Sequence, residues 1–200
     1  MDEITISYRA RHTIIEMLED RGYSIPKEYL EINFDTFRHL YTMKNYDIIC
    51  SHSNNQNKIY VKFIHQIKIK PNSIREFIDN IYKENLDSND QLIFVLKIKP
   101  NNSILKIPKE KDYKNVEIKW LSRLQFNITK HELVPSHTLV SDEELNQLRE
   151  TYNLTNLSQL PKMSKDDPIS KYYNYKVGQV CKIERPSKTS SKYIFYRYIR

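Results

Sequence analysis

Glycine is nearly absent from this chain, and cysteine and long apolar runs are scarce. Two glycines in 200 residues leave no G-x-x-x-x-G-K-[S/T] or G-x-G-x-x-G loop that could cradle a phosphate group. Cys50 and Cys181 lie far apart with no C-x-x-C spacing, so we expect both to be buried and reduced. The N-terminus is charged from its second residue and no window approaches a membrane span, so we expect an intracellular protein that binds no membrane.

The charge balance is basic, with a formal net charge of +7 and a sequence pI near 9.2. A basic chain favours anionic partners, nucleic acid first. Lys, Ile and Asn are abundant and Gly is scarce, a bias that an AT-rich genome produces in all of its proteins. The positive charge alone therefore leaves a nucleic-acid role open. A free-standing basic nucleic-acid-binding module therefore remains one alternative.

The first part of the chain predicts helices followed by a hairpin. Apolar residues at helical spacing predict a helix from Ile6 to Arg21, which ends at Gly22. A second helical region follows Pro26, a residue suited to a first helical turn. The β-branched and aromatic stretches 46–52 and 58–70 predict two strands of a hairpin.

The pattern then alternates between helix and strand. Ser73 and Glu76 have capping-box spacing at the start of a helix that runs to about Leu86. The nearly continuous apolar run 91–99 predicts a strand covered on both faces, and 116–124 predicts another strand with a short helical continuation. These elements predict an α/β (α+β) domain over residues 1–126.

Residues 127–200 hold half of the eight prolines and predict a second, small α/β domain. Ser141 and Glu144 have capping-box spacing, and Asp167 before Pro168 predicts an N-capped short helix through about Tyr173. Gly178 suits a turn that needs a positive φ. The stretch 179–185 then predicts a strand that ends at Pro186, with 192–199 as its partner.

The stretch HELVPSHTLV, residues 131–140, raises the question of a metal or catalytic site. His131, Glu132 and His137 supply the residue types that such a site uses. Pro135, however, pushes Val134 into an extended conformation and prevents a helix from crossing the segment. We therefore interpret the stretch as a proline hinge that leads from one domain into the next.

A magnesium-dependent nuclease is the main enzymatic alternative. Such enzymes hold the metal with carboxylates and assist the attacking water with a lysine. Asp47 and Glu117 could supply the carboxylates, and Lys119 could supply the lysine. Strand alternation alone, however, would place Glu117 and Lys119 together on a solvated face. Cys50 and His52 share a strand face, and we interpret them as a buried pair and not as a thiolate site.

Three C-terminal segments resemble the assembly domain of subunit five of eukaryotic nuclear RNA polymerases, which is similar to a small subunit of archaeal RNA polymerase. They are HELVPSHTLVSDEEL, QLPKMSKDDPISKYY and KVGQVCKIERPSKTSSKYIFYR. Upstream, YRARHTIIEMLEDRGY and FNITKHELVP resemble the N-terminal jaw domain of the eukaryotic subunit, so the resemblance spans most of the chain.

The resemblance implies a non-catalytic subunit of DNA-directed RNA polymerase, without cofactor or metal. It implies a nuclease-like jaw domain with a mixed sheet flanked by helices (1–126) and a small α/β assembly domain (127–200). The second domain would anchor on the largest subunit, and the first would lie along downstream double-stranded DNA, with weak contacts to its backbone. We expect other polymerase subunits as partners and no homo-oligomer.

The resemblance also singles out subunit-interface and assembly-domain residues. These are His131, Pro135, His137, Pro161, Asp167, Pro168, Tyr172, Gly178, Arg185, Pro186, Tyr193, Tyr196 and Arg197.

The chain departs from the family pattern at three places. Asn174 stands where a glycine is usual, the loop RPSKTSS carries Lys188 in place of an acid, and the loop MKN (43–45) is short. These departures and the AT-rich composition suggest a large DNA virus as the source. The expected location is the nucleus for a cellular protein, or the virion and host cytoplasm for a viral one.

Overall fold

The computed structural model describes residues 2–55, 57–67, 69–187 and 191–200. The chain forms two compact units, one through Phe126 and one from Asn127 to Arg200. No helix in the described ranges is long and apolar enough to cross a membrane. Each unit has its own sheet and its own core.

Within the described residues, the first unit contains a five-stranded mixed sheet and five α-helices. Its helices are α1 (Glu3–Asp20), α2 (Lys27–Leu30), α3 (Phe34–Thr42), α4 (Pro71–Glu84) and α5 (Asn102–Lys106). Its strands are β1 (Tyr23–Ser24), β2 (Ile48–His52), β3 (Lys58–Ile64), β4 (Gln91–Leu96) and β5 (Val116–Trp120), in that order across the sheet. Strands β1 to β3 are antiparallel, whereas β3, β4 and β5 are parallel.

The core of the first unit lies on both faces of β4. Alternate residues of a strand face opposite sides. Leu92, Phe94 and Leu96 belong to one cluster with the apolar stripe of α4, while Ile93 and Val95 are buried on the other face. The prediction of a strand covered on both faces is therefore confirmed.

The residues that begin and end the helices of the first unit match the sequence-based predictions in part. Gly22 follows the end of α1 with φ +85°, as predicted, and a Cβ there would lie 3.3 Å from His52 Nε2. The region after Pro26 forms two helices because Asn33 caps α3 by accepting a hydrogen bond from Thr36 N at 2.8 Å. The prediction that Ser73 caps α4 is wrong, since Pro71 already occupies the first helical position and Ser73 lies inside the first turn.

In the part of the second unit that the structure describes, there are a four-stranded sheet and two α-helices. Its strands are β6 (Ser136–Leu139), β7 (Lys162–Met163), β8 (Val180–Ser187) and β9 (Ser191–Ile199), and its helices are α6 (Asp142–Thr151) and α7 (Pro168–Tyr173). The sheet order is β6-β8-β9-β7. The pairs β6/β8 and β8/β9 are antiparallel, and the short β7 is parallel to β9.

The predicted starts of α6 and α7 and the turn at Gly178 are confirmed, but the capping box at Ser141 is only half formed, because the Glu144 carboxylate binds Tyr196 and Lys182 instead. Ser141 accepts a hydrogen bond from Glu144 N at 3.2 Å, and Asp167 accepts one from Ile169 N at 2.9 Å. Asn174 ends α7 in the left-handed conformation at φ 55°, and Gly178 has φ +98°. Asparagine tolerates this conformation, which explains how the chain dispenses with the usual glycine after α7.

The predicted end of β8 at Pro186 is wrong, because the strand continues through Ser187. The N–H groups of alternate β8 residues point toward β6, but the β6 ladder stops where Ser136 pairs with Glu184. Pro186, two residues after Glu184, therefore occupies a position at which the sheet needs no N–H donor. The substituted loop position Lys188 lies outside the described residues.

Candidate functional site

The carboxylates that suggested a nuclease lie in different parts of the first unit. Glu117 lies on β5, and Asp47 directly precedes β2. Strands β3 and β4 separate them in the sheet, a distance of about 14 Å at the usual strand spacing. A single magnesium ion cannot bind both carboxylates in this arrangement.

Glu117 is held by two basic side chains. Arg21 donates from both terminal nitrogens to the two carboxylate oxygens, at 2.7 and 3.0 Å, and Lys119 Nζ lies 3.2 Å from Oε2. The side chains of Glu117 and Lys119 are only 18% and 13% exposed, so the prediction of a solvated face is wrong. The cause is α1, whose last residues bring the Arg21 guanidinium to β5.

The charge state of Glu117 follows from this cluster. Burial raises the pKa of the carboxyl group, but the charges of Arg21 and Lys119 outweigh that effect and lower the pKa to about 2. Glu117 is therefore an ionised structural partner at neutral pH. A general base, by contrast, needs a pKa closer to the working pH.

Asp47 is also occupied by neighbouring groups. Its oxygens accept hydrogen bonds from Lys62 Nζ at 2.5 Å, Phe63 N at 2.9 Å and the Tyr60 hydroxyl at 3.0 Å. These contacts join the start of β2 to β3. Their geometry assigns Asp47 a role in strand pairing.

Cys50 is too deeply buried to serve as a reactive thiolate. Cys50 is 4% exposed, and burial raises the pKa of its thiol to about 12, so it is protonated at neutral pH. His52 packs its ring edge-to-face against Tyr23 at 5.1 Å between centroids. Across the described ranges, no group of three or more His, Cys, Asp and Glu side chains could hold a metal ion.

The two histidines of the 131–140 segment make local hydrogen bonds. His131 Nδ1 accepts from Leu133 N at 3.2 Å, and His137 Nδ1 lies 2.7 Å from the Pro135 carbonyl, to which it donates. Burial lowers the pKa of His137, which favours the neutral ring. Both side chains thus fix the turn that leads into β6, which is an architectural role. The prediction of a hinge between two domains is wrong, because the stretch lies inside the second unit, which begins at Asn127, and contributes strand β6 to its sheet.

One subset of the signature residues builds the backbone of the second unit. Asp167 and Pro168 start α7, and the buried Tyr172 hydroxyl accepts a hydrogen bond from Asn127 Nδ2 at 2.9 Å. The Pro161 carbonyl accepts from Tyr198 N at 2.9 Å, and Gly178 N donates to the Ile199 carbonyl at 3.0 Å. These residues shape the unit from inside.

A second subset lies on one face of the β8/β9 hairpin. Register pairs Arg185 with Tyr193, Ile183 with Phe195 and Cys181 with Arg197, so these side chains share a face. We call the outer part of this face, formed by Arg185, Tyr193, Phe195 and Arg197, the arginine–aromatic face.

The arginine–aromatic face combines exposed cations with ordered aromatic rings. The Arg185 guanidinium lies 5.2 Å from the Phe195 ring centroid, and Tyr193 packs edge-to-face on Phe195 at 4.2 Å. Arg185, Arg197 and Pro186 are exposed, and Tyr193 is 52% exposed. Phe195 was missed at the sequence level because its contact with Arg185 depends on the hairpin register.

Tyr196 points to the opposite face of the hairpin. Its hydroxyl donates to Glu144 Oε1 at 3.0 Å, and Lys182 Nζ lies 3.0 Å from the same oxygen. The side chain of Glu144 is thereby drawn toward the sheet, where it joins α6 to β8 and β9. Tyr196 is a structural residue of the second unit.

A basic surface in the first unit was not singled out from the sequence. Between Lys97 and Lys114 the chain carries six lysines against two acids, and this segment includes the connection from β4 to β5. Five of the lysines are exposed; they form what we call the basic crossover, Lys99, Lys106, Lys109, Lys111 and Lys114. Glu110 is bound by Arg75 at 2.6 Å, which removes one of the two acids from this surface.

Comparison with known proteins identifies the family. The family models "RNA polymerase Rpb5, N-terminal domain" and "RNA polymerase Rpb5, C-terminal domain" match residues 1–81 and 126–199. Similar curated proteins include the Caenorhabditis briggsae "DNA-directed RNA polymerases I, II, and III subunit RPABC1", 30% identical over 96% of this chain and 94% of that protein. The protein of the same description from Dictyostelium discoideum is 31% identical over 98% of each chain.

A plant relative extends the same pattern. The Arabidopsis thaliana "DNA-directed RNA polymerases IV and V subunit 5B" is 32% identical over 96% of this chain and 88% of that protein. The chain therefore belongs to the Rpb5 family of RNA polymerase subunits, which confirms the resemblance inferred from the sequence.

The ion pair at Glu117 predicts a specific acid sensitivity. Because the folded-state pKa is lowered, the stabilisation is present above about pH 4.5 and is lost as the pH falls toward 2. Glu117→Gln should therefore lower the free energy of unfolding by up to about 3 kcal/mol at pH 7. The gap between variant and wild type should shrink as the pH falls through this window.

Fluorescence of Trp120, the single tryptophan, reports unfolding of this unit in urea titrations at each pH. Glu28→Gln, at an exposed carboxylate, is the matched control and should follow wild type throughout. A gap for Glu117→Gln that is independent of pH would contradict the assigned ion pair.

Proposed function

We propose that this chain is a non-catalytic subunit of a multisubunit DNA-directed RNA polymerase and acts in transcription inside the cell. The observation that carries the proposal is the identity of about 30% across nearly the whole length of a polymerase subunit from Caenorhabditis briggsae. The structural role of Glu117, Asp47 and Cys50 supports a subunit without catalysis of its own. Its location is then the nucleus of a eukaryotic cell, or the virion and host cytoplasm if the source is a large DNA virus.

In this proposal the second unit anchors the chain on the largest subunit through the arginine–aromatic face. Arginine and tyrosine dominate the binding energy of many protein interfaces, because they combine large contact area with directed hydrogen bonds. Phe195 holds Arg185 by its ring face, so the guanidinium is partly ordered before binding. Within the described ranges, no ion pair joins Arg185 or Arg197 to a carboxylate of this chain.

Charge reversal on this face tests the anchoring role. Arg185→Glu and Arg197→Glu should each reduce the amount of large polymerase subunits that co-purify with the tagged chain by about tenfold or more. Arg149→Glu is the matched control, because it makes the same charge change at an exposed position on α6. Circular dichroism of the purified variants verifies their fold. Unaltered co-purification of both reversed variants would contradict the anchoring role.

The first unit in turn forms part of a lower jaw beside downstream DNA, with the basic crossover toward the duplex. Exposed lysines act as point charges on phosphates and carry no base-specific readout, so the contact is weak and sensitive to salt. The support for this step is the local excess of lysine and its exposure.

The jaw role predicts a change in salt dependence. Polymerase that carries Lys106→Gln, Lys111→Gln and Lys114→Gln should release downstream DNA at lower salt than wild type. The slope of log K against log salt should fall by up to about 0.9 for each phosphate that is no longer neutralised by a lysine. Electrophoretic mobility shifts over a salt series measure both quantities.

A matched triple variant changes exposed lysines elsewhere in the same unit, Lys27→Gln, Lys58→Gln and Lys83→Gln. It carries the same net charge as the first variant and should retain the wild-type slope. Equal slopes for both triple variants would place the DNA contact away from the basic crossover.

A further inference from the structure

Strand β9 has one edge that is only partly covered. Its odd-numbered residues direct their N–H groups toward β8, as Ile199 N does in donating to the Gln179 carbonyl at 2.9 Å. Tyr198 N and Arg200 N point the other way and donate to the carbonyls of Pro161 and Met163. Because the direction alternates along a strand, the N–H and C=O groups of Ile194 and Tyr196 also face away from β8.

The cover provided by β7 stops at Pro161 for a chemical reason. Continuation of the parallel ladder would require residue 161 to donate its N–H to the Tyr196 carbonyl, and proline has no N–H. Among the described residues, β9 accordingly pairs with β7 only at Tyr198 and Ile199. The remaining edge, from Lys192 to Tyr196, is about 17 Å long at the usual rise per residue. We call it the open edge.

Within the described residues the open edge carries no proline and no bulge, and its one charged side chain is Lys192 at its end. Its register with β8 is continuous from Val180↔Tyr198 to Ser187↔Ser191, without a bulge. Tyr193 and Ile194 are 52% and 42% exposed. An edge of this kind is the surface on which an extended segment of another chain can add as a strand.

Charge indicates what the added segment carries. Arg197 projects beside the open edge, and Arg185 lies on the neighbouring strand β8 on the same face, where no carboxylate among the described residues pairs with either. The one acid of the hairpin within the described residues, Glu184, already lies near Lys182 and Lys192. A strand with acidic side chains on this face and apolar ones toward Ile194 would complement both surfaces.

We propose that the open edge receives an extended, acid-bearing segment of another polymerase subunit, which adds to the sheet as a fifth strand in line with β7. The inference rests on the proposed function, because it specifies how the second unit holds its partner. It adds a backbone contribution to the side-chain contacts of the arginine–aromatic face.

Hydrogen–deuterium exchange at single-residue resolution tests the proposal on the full chain, free and within the co-purified polymerase. The amides of Ile194 and Tyr196 should exchange about tenfold or more slowly in the complex. One acidic, extended segment of a partner subunit should gain protection at the same time. The amides of Phe195 and Tyr198 serve as internal controls, because they already donate within this chain and should be protected in both states.

A proline substitution provides a second readout. Ile194→Pro removes the outward N–H without breaking a hydrogen bond to β8, and should reduce co-purification of the large subunits at least about fivefold. Ile194→Ala removes the side chain but keeps the N–H and should retain most of the wild-type recovery. Thermal melts of both variants verify that the unit is folded.

The outcomes separate this inference from the proposed function. The chain could assemble with polymerase while the amides of Ile194 and Tyr196 exchange as fast as in the free chain. That result would overturn the added strand but not the proposed role as a polymerase subunit. Protection by a segment without acidic residues would overturn the charge assignment. Failure of the wild-type chain to assemble at all would overturn both.

Discussion

The ion pair between Arg21 and Glu117 is the constraint on which the first unit depends. It joins residues 96 positions apart, at the end of the first helix and in the last strand of the sheet. A buried charge is tolerated only when it is paired, so the sheet, α1 and the two side chains require one another. The same contact converts a carboxylate with the appearance of a catalytic residue into a structural one.

The stability of the second unit depends on helix caps and turns more than on the size of its core. Asp167, Asn174 and Gly178 fix the start and end of α7 and the turn into β8, while Pro161 limits β7 to two residues. A unit of this size has a small core, so each cap and turn is a substantial part of its stability. The β8/β9 hairpin, with its arginines, aromatic rings and open edge, is where we propose that a partner subunit binds.

Features set by neighbours in sequence were predictable. The glycine after α1, the cap of α7 by Asp167 and the burial of β4 depend on local chemistry or on an uninterrupted apolar run, and all were confirmed. Glu117 and Pro186 were misjudged because their surroundings depend on distant segments: a side chain from α1 in one case and the end of β6 in the other. The arginine–aromatic face and the open edge likewise require the register of β8, β9 and β7, which no single stretch of sequence contains.

The most direct test of the central claim is affinity purification of the tagged wild-type chain from the cells that express it, followed by mass spectrometry. The account predicts recovery of both large subunits of a DNA-directed RNA polymerase in amounts equimolar with the tagged chain. The complex should persist at salt concentrations that remove nucleic-acid-dependent contaminants. Recovery of the chain alone, or only with nucleic acid that salt or nuclease removes, would contradict the account and favour a free-standing basic nucleic-acid-binding protein.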